Sequence, residues 1–313
     1  MLIVSEETCQ KVVGHKNAFT AVEGVFAAMA RGDAYNFPVV REAIGHADAL
    51  YGFKSGFDRA AGVLGLKAGG YWPGNEKQGL TNHQSTVFLF NPDTGQPSAM
   101  VGGNYLTAMR TAAASAVSIR YLAREDAKVL GMVGAGFQSA FQMRAAAAQR
   151  KFERVVGWNL HPEMLSRLEQ TADELGLPFE AVSLDRLGAE ADVIISTTSS
   201  FAPILKRSQV KPGTHLACMG TDTKGKQEVE AELVAATAVF TDEVAQAVSI
   251  GECQHAVGLG LIDESRITPI GAVINREHPG RSAADEITLF DGTGVGLQDL
   301  AVAALAAAAV QAE

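Results

Sequence analysis

The sequence predicts an α/β protein that combines a doubly wound parallel sheet with a separate α+β region. From about residue 126 onward, short β-branched runs alternate with Ala-rich stretches, which is the pattern of repeated βα units. Before residue 120 the pattern differs, because two short strand-like runs flank a five-residue turn as in an antiparallel hairpin. At 313 residues, the chain is long enough for two domains.

The composition favours an enzyme that acts on a small molecule. Hydrophobic residues make up 47% of the chain and charged residues 19%, with 32 glycines, which is typical of closely packed α/β proteins. A net charge of −9 and the lack of a basic run argue against binding to nucleic acid or anionic membrane. The longest apolar run, residues 300–310, is too short to cross a membrane, and no signal-peptide pattern is visible. We therefore expect a cytoplasmic protein.

The three cysteines, Cys9, Cys218 and Cys253, are far apart and outside any CxxC spacing. This pattern indicates reduced thiols rather than a disulfide framework or a zinc site, so no metal is expected.

Six strands are predicted for the parallel sheet, most of them at spacings of about 25 residues that fit a strand, a helix and two loops. They cover residues 128–133, 154–158, 179–182, 192–197, 215–219 and 238–241. Helices are predicted over residues 138–150 and 105–123, and the second carries Arg110 in its first turns. The hairpin pairs residues 85–90 with 97–101, and a strand-like run at 286–290 precedes a last helix over 294–312.

A Gly-rich motif follows the first of these strands, with Gly134, Gly136 and Ser139 in a G-x-G-x-x-S pattern. Gly134 permits a tight turn, Gly136 lets the backbone approach a pyrophosphate, and the helix N-terminus receives the anion. Ser139 replaces the usual third Gly or Ala. The motif predicts a Rossmann-type dinucleotide site, and the alternative is a tight βα turn that binds nothing.

The residue that follows the second strand bears on the choice of cofactor. Asn159 can hydrogen-bond the 2′-hydroxyl of the adenosine ribose, and no Arg follows it to bind a 2′-phosphate. We therefore favour NAD(H) over NADP(H), although no acidic residue is present there to repel the phosphate. Thr198, Met219 and Gly220, which follow later strands, are also predicted to contact the cofactor.

Three cationic residues, Arg41, Lys67 and Arg110, stand among glycines and apolar residues in the first half of the chain. Each alone has an ordinary explanation, since a strand Lys can reach water along its stem and a helix Arg can be solvated. The order of these three residues along the chain, together with the segments around them, is stronger evidence than any one of them alone.

The segments PVVRE, LKAGGYWPGN, TAMRTAAASA, VGAGFQS and MGTDTKGKQE occur in this order, and together they resemble the ornithine cyclodeaminase and mu-crystallin family. The resemblance covers nearly the whole chain. It implies an NAD(P)-dependent enzyme acting on an amino acid or imine, and a homodimer formed through N-terminal sheets. It also implies a Rossmann domain, residues 123–293, inserted into a substrate-binding and dimerisation domain, residues 1–122 with 294–313.

The resemblance further implies residue roles. Arg41 and Arg110 would hold the substrate α-carboxylate, Arg110 would also contact the cofactor, and Lys67 would hydrogen-bond the carboxylate or the reacting nitrogen. Asp222 would face that nitrogen, so Lys67 and Asp222 are the catalytic candidates. His83 is either a proton relay or a structural histidine. Further implied cofactor contacts are Asn82, Phe137, Gln138, Gly292, Thr293 and Gly294.

The substrate prediction depends on residues 52–58, where ornithine cyclodeaminase has a carboxylate for the distal amine. Here Lys54 or Ser55 falls near that position, so a second carboxylate on the substrate fits better than a distal cation. We therefore predict hydride transfer between the nicotinamide and the Cα of a small imino or amino acid. Iminosuccinate reduced to L-aspartate is the preferred case, and alanine or a cyclic ketimine are the other candidate substrates. Asp58 keeps cyclodeamination open as an alternative, and a dinucleotide-dependent binding protein is the third possibility.

Overall fold

The computed structural model describes residues 1–312 and divides the chain into two units. Unit 1 contains Met1–Arg110 and the residues from Val295 onward, and unit 2 contains Thr111–Gly294. The first boundary between the units falls between Arg110 and Thr111, inside one continuous helix, whereas the sequence placed it after residue 122. The apolar period of this helix continues across the boundary, so the sequence pattern does not show where the units divide. None of the helices within residues 1–312 combines the length and apolar character that a membrane span requires.

The elements are as follows. The strands are β1 (Leu2–Val4), β2 (Ala34–Asn36), β3 (Val40–Ala43), β4 (Leu50–Asp58), β5 (Val63–Tyr71), β6 (His83–Phe90), β7 (Pro97–Gly102), β8 (Val129–Val133), β9 (Arg154–Trp158), β10 (Phe179–Ala181), β11 (Val193–Ser196), β12 (Phe201–Leu205), β13 (His215–Cys218), β14 (Gln227–Val229), β15 (Ala238–Thr241), β16 (Ile267–Pro269) and β17 (Thr288–Asp291). The helices are α1 (Glu6–Val12), α2 (His15–Ala30), α3 (Asn104–Leu122), α4 (Phe137–Ala147), α5 (Ser166–Glu174), α6 (Leu184–Glu190), α7 (Ala231–Ala235), α8 (Val244–Ala247), α9 (Cys253–Gly258), α10 (Ile270–Ile274) and α11 (Gly296–Gln311).

Unit 1 is built on a mostly antiparallel sheet with the order β1-β7-β6-β5-β4-β2, in which β3 also pairs with β4. The predicted hairpin is present as β6 and β7. Its turn forms because the Asn91 side chain accepts hydrogen bonds from the amides of Asp93 and Thr94, while Gly95 takes a left-handed φ of 71°.

The two faces of this sheet differ in what covers them. Helix α11 packs on β4 and β5, and on α2, so one face is buried beneath an Ala-rich helix. We call this the inner face and the opposite one the outer face. Because side chains alternate along a strand, Lys67 and the paired Lys54 share the inner face, while Tyr51 and Phe53 lie on the outer face.

Unit 2 contains a parallel sheet with the order β10-β9-β8-β11-β13-β17-β15-β16, and β12 pairs with β14 in a second, two-stranded sheet. Strands such as β11 and β13 are buried along their whole length, as expected when helices cover both faces. From β8 the chain runs outward through β9 to β10, and then crosses back to β11 on the other side of β8. Such a reversal opens a crevice at the carboxyl ends of the strands, where ligands bind.

The predicted fold class is confirmed, but the strand count is not. All six predicted strands are present, yet the sheet also contains β16 and β17. Strand β16 is a three-residue edge strand, too short to produce an alternating pattern. Strand β17 overlaps the run at 286–290 and inserts between β13 and β15, a long-range pairing that local pattern does not reveal.

Candidate active site

The Gly-rich turn after β8 has the backbone geometry that its motif requires. Gly134 adopts a φ of 102°, and a Cβ added there would lie 2.9 Å from the carbonyl oxygen of Thr197. Gly136 caps α4 in an extended conformation, and the space that its Cβ would occupy is open. Open space before a helix N-terminus suits a pyrophosphate group.

Ser139, which replaces the usual Gly or Ala of the motif, forms a hydrogen bond within this turn. Its side chain is buried, and Oγ donates a hydrogen bond to the carbonyl oxygen of Gly136 at 2.7 Å. The hydroxyl is therefore satisfied locally and leaves the open side of the turn unobstructed.

Two buried oxygens near the turn have no hydrogen-bond partner within residues 1–312: Gln138 Oε1 and Thr197 Oγ1. An unpaired buried polar atom costs about 1–3 kcal/mol. The hydroxyl and amide groups of a dinucleotide can supply the missing partners, so the residues present fit an NAD-type cofactor. Phe137, which begins α4, is exposed at the same turn.

Asn159 supports the turn through its side-chain amide. Oδ1 accepts a hydrogen bond from the Ala135 amide at 3.1 Å, and Nδ2 donates to the carbonyl oxygen of His161 at 2.8 Å. These bonds fix Asn159 at the end of β9, beside the glycines. Its contact with an adenosine ribose stays a prediction.

The loops after β11 and β13 are joined by a residue that sequence reasoning missed, Glu228. Its Oε1 accepts from the Thr198 amide at 2.6 Å, and its Oε2 accepts from the Gly220 amide at 2.9 Å. Thr198 and Gly220, both predicted cofactor contacts, are thus held by one buried carboxylate. The available signal was an acidic residue in a short strand between glycines and a helix.

A second missed carboxylate, Asp242, holds the loop before α11. Its Oδ1 accepts from the Thr293 hydroxyl at 2.6 Å, and its Oδ2 accepts from the Gly294 amide at 2.8 Å. Met219 packs closely on this loop, because a Cβ added to Gly292 would lie 2.6 Å from the Met219 sulfur. The predicted cofactor contacts Met219, Gly292 and Thr293 therefore lie together in unit 2.

Asp222 lies in the loop after β13 and forms an ion pair with Lys226, with 2.8 Å between Oδ1 and Nζ. The Lys226 ammonium also donates to the carbonyl oxygen of Gly220 at 3.3 Å. The carboxylate is partly exposed, and this cation balances its charge. Its predicted role facing the substrate nitrogen remains a prediction.

In unit 1, Lys67 and Arg110 meet at a buried carboxylate. The Lys67 Nζ lies 2.9 Å from Asp299 Oδ2, and the Arg110 Nε lies 3.0 Å from Asp299 Oδ1. Arg110 Nη1 also donates to Gln298 Oε1 at 3.1 Å, and Lys67 donates to the Thr107 hydroxyl at 3.4 Å. We call Lys67, Arg110 and Asp299 the buried ion cluster.

Sequence reasoning found the two cations of this cluster and missed Asp299, Gln298 and Thr107. Asp299 is 189 positions from Arg110, so no local pattern connects them. The available signal was a lone acidic residue, which is fully buried, in a helix composed almost entirely of Ala, Leu and Val.

Burial and charge give Lys67 an unusual pKa. Removal from water lowers the pKa of Lys67 to about 7, the Asp299 carboxylate opposes this change, and the charges of Arg110 and Lys54 add to it. Burial alone would raise the pKa of Asp299, but Arg110 and Lys67 hold it below its ordinary value. Lys67 can therefore exchange a proton near neutral pH, next to a carboxylate that stays ionised.

Lys54 and Arg41 extend the positive charge along the inner face. Lys54 is paired with Lys67 across β4 and β5, and Arg41 is paired with Gly52, two residues before Lys54. Since alternate residues share a face, the three cations lie on one side of the sheet.

Asn82 and His83 lie where β6 begins. The Asn82 Oδ1 accepts from the Glu76 amide at 3.3 Å, and Nδ2 donates to the Tyr71 hydroxyl at 3.4 Å. His83 pairs with Tyr71 across β5 and β6. Their roles toward a nicotinamide or a proton stay predictions.

The parallel sheet, its Gly-rich turn and the loops after its strands define a dinucleotide-binding protein of the Rossmann class. The inner face of unit 1 adds a cationic site suited to carboxylates. The chain belongs to the ornithine cyclodeaminase/mu-crystallin family, whose model matches residues 2–312. The family resemblance seen in the sequence is confirmed.

Two relatives show where the chain lies within this family. It is 69% identical over 303 residues to an iminosuccinate reductase of Paracoccus denitrificans, covering 97% of this chain and 94% of the relative. The crystal structure of the iminosuccinate reductase of Paracoccus denitrificans with NAD+ matches at a TM-score of 0.96 and 67% identity, covering 100% and 97% of the two chains. An archaeal alanine dehydrogenase dimer with bound NAD matches at a TM-score of 0.94 and 30% identity, covering 100% and 96%.

Proposed function

We propose that the protein is an NADH-dependent imine reductase whose substrate is iminosuccinate and whose product is L-aspartate. It is an oxidoreductase acting on C=N and CH–NH₂ groups. The observation that carries the proposal is the cationic inner face, where Lys67 and Arg110 contact Asp299 and the charge of Lys54 also acts on that carboxylate. The 69% identity to an iminosuccinate reductase supports the same substrate.

Two substrate carboxylates can be matched to this charge. Arg110 has five N–H donors, more than its contacts to Asp299 and Gln298 use, and a guanidinium binds carboxylate well. Arg110 with Arg41 would bind the α-carboxylate, and Lys54 would bind the second one. A substrate with a distal amine would instead meet like charge.

The chemistry needs a hydride at the imine carbon and a proton at the nitrogen. When bound, NADH supplies the hydride. Lys67 would hold the proton at Nζ, because its pKa of about 7 lets it both carry and release one near neutral pH. Asp299 orients Lys67 and Arg110, and orientation of reacting groups is a large part of catalysis.

The cofactor would be held by unit 2. The turn at Gly134 and Gly136 would receive the pyrophosphate, and the loops containing Thr198, Gly220 and Thr293 would lie along the rest of the dinucleotide. NAD(H) is favoured because the relative's structure contains NAD+ and Asn159 carries no charge to bind a 2′-phosphate.

Cyclodeamination fits the structure less well, because of where Asp58 lies. Asp58 is four residues beyond Lys54 on β4, a distance of about 13 Å along the strand. Its Oδ1 accepts a hydrogen bond from the Ala61 amide at 3.0 Å, so it closes the turn after β4. A carboxylate used this way is poorly placed to receive a distal amine beside Lys67.

The direct test is NADH oxidation by the purified protein with freshly mixed imines. Oxaloacetate with ammonia supplies iminosuccinate, and pyruvate with ammonia supplies the imine of alanine. We expect fast oxidation with the first and slow oxidation with the second. Ammonia release from ornithine without net NADH change would favour a cyclodeaminase, and NAD binding without either reaction would favour a binding protein.

We further propose a homodimer formed through the outer face. This face exposes large apolar side chains, a feature of interaction surfaces. They are Ile3, Tyr35, Val40, Tyr51 and Phe53. The archaeal alanine dehydrogenase of the same fold is a dimer. Light scattering should give the mass of two chains for the wild type and of one chain for F53D, and a monomeric wild type would refute the dimer.

A cytoplasmic location is also part of the proposal. The three cysteines are buried free thiols, as expected in a reducing compartment, and fractionation of cells checks it.

A further inference from the structure

Glu228 is not among the residues assigned to the imine chemistry, yet it is buried and held by several hydrogen bonds in unit 2. It lies on β14 and is 1% exposed. Its Oε1 accepts from the Thr198 amide at 2.6 Å, and its Oε2 accepts from the Gly220 amide at 2.9 Å and the Ser196 hydroxyl at 2.8 Å. One carboxylate thus joins the carboxyl ends of β11 and β13.

We propose that Glu228 is a positioning residue of the dinucleotide site: its ionised carboxylate fixes the loops after β11 and β13 and stabilises bound NAD+ more than bound NADH. The inference rests on the proposed NAD(H) dependence, but not on the identity of the imine.

The contacts of Glu228 favour the ionised form. Both carboxylate oxygens accept hydrogen bonds from N–H or O–H groups, an arrangement suited to a carboxylate rather than a protonated acid. Close packing adds to this, because a Cβ on Gly220 would lie 2.5 Å from Glu228 Oε1. The loop can therefore approach the carboxylate only with Gly at that position.

A neighbouring carboxyl group, that of Glu252, holds the backbone of β14, the strand that carries Glu228. Its Oε1 accepts from the amides of Glu228 at 3.0 Å and Val229 at 2.9 Å, so it fixes β14. Burial and the negative charge of Glu228 raise the pKa of Glu252 to about 8. Burial raises the pKa of Glu228 as well, but the hydrogen bonds from the Thr198 and Gly220 amides and the Ser196 hydroxyl oppose this change. These donors therefore stabilise negative charge on Glu228.

The position of this charge determines its effect on the cofactor. A dinucleotide crosses the carboxyl ends of the strands, with its adenosine half at the second strand of the motif, which here is β9. The nicotinamide half then lies on the side of β11 and β13. The nicotinamide ring is cationic in NAD+ and neutral in NADH, so a buried negative charge nearby stabilises the oxidised form selectively.

The test is the binding of NAD+ and NADH, without substrate, to wild type and E228Q. Loss of one charged acceptor should weaken NAD+ binding about tenfold and NADH binding about threefold. E230Q is the matched control, since Glu230 lies two residues away and accepts from the Arg207 amide at 3.0 Å. It should bind both forms as the wild type does.

Wild-type affinities in E228Q, or an equal loss for both forms, would overturn the inference. If E228Q does not fold, hydrogen exchange in the cofactor-free wild type replaces it. The Thr198 and Gly220 amides should exchange slowly, and fast exchange at both would overturn the inference. A wild type that binds neither cofactor form would instead refute the proposed NAD(H) dependence.

Discussion

The two units bury charge in opposite ways. In unit 1, the inner face buries cations around one carboxylate, and the pKa of Lys67 falls to about 7. In unit 2, carboxyl groups are buried among backbone amides and hydroxyls, and burial raises the pKa of Asp291 to about 7 and of Glu252 to about 8. The same loss of hydration thus brings a Lys and two carboxyl groups into the physiological range from opposite sides.

The difference lies in what compensates the buried charge. The cations of unit 1 contact Asp299 in ion pairs, and Arg110 keeps further N–H donors with which it can bind a substrate carboxylate. The carboxyl groups of unit 2 are held by hydrogen bonds from the loops they organise. Charge in unit 1 is therefore suited to chemistry, and charge in unit 2 to the shape of the cofactor site.

The largest effect is expected from K67M, which keeps the aliphatic stem and removes the proton carrier. Turnover with iminosuccinate should fall about 10³-fold, because a general acid contributes about that much. NADH affinity should stay unchanged, since Lys67 is not among the predicted cofactor contacts. K11M, which alters an exposed Lys paired with Glu7, is the control and should behave as wild type. If K67M no longer bound NADH, Lys67 would have a structural role rather than a catalytic one.

D299N should have the next largest effect, because it leaves Lys67 and Arg110 without their counter-ion. Breaking a buried pair costs about 3–5 kcal/mol of stability. Asp299 holds the pKa of Lys67 up, so its loss should lower that pKa further below about 7. The fall in reduction rate with rising pH should then occur at lower pH than in the wild type. D33N, at an exposed carboxylate, is the control, and an unshifted pH profile in D299N would contradict the assignment.

K54M should change substrate preference. Loss of the Lys54 charge should also raise the pKa of Lys67, an effect that both imines share. Loss of one charged contact to the second carboxylate should raise the KM for iminosuccinate about tenfold. The KM for the imine of pyruvate, which lacks that carboxylate, should not change. Steady-state kinetics with both imines, and with R59M as a surface control, measure the difference. An equal change in KM for both imines would mean that Lys54 does not bind the second carboxylate.

The smallest effect is expected from D291N, on stability. The folded-state pKa of Asp291 is raised to about 7, so its contribution to stability is present at low pH and is lost as pH rises from about 4 through 7. Between pH 6 and 8, the Tm of the wild type should therefore fall more than that of D291N, by about 2–4 °C. Parallel slopes for the two proteins would contradict a titrating Asp291.

Local pattern was enough to predict the βα units, the hairpin and the turn at Gly134, because each depends on neighbouring residues. It also identified Lys67 and Arg110, since a cation among apolar residues is unusual. The carboxylates Asp299 and Glu228 were missed, because their partners are distant in sequence. Strand β17 overlaps a run that the sequence indicates as strand-like, but its place between β13 and β15 depends on distant pairing.

The central claim is that the protein reduces a dicarboxylic imine. The most direct test supplies oxaloacetate, ammonia and NADH deuterated on the transferred position, and analyses the product by mass spectrometry. We predict L-aspartate with one deuterium on Cα for each NADH consumed. Deuterated malate, which would mean reduction of the ketone, or no consumption of NADH with this mixture, would contradict it.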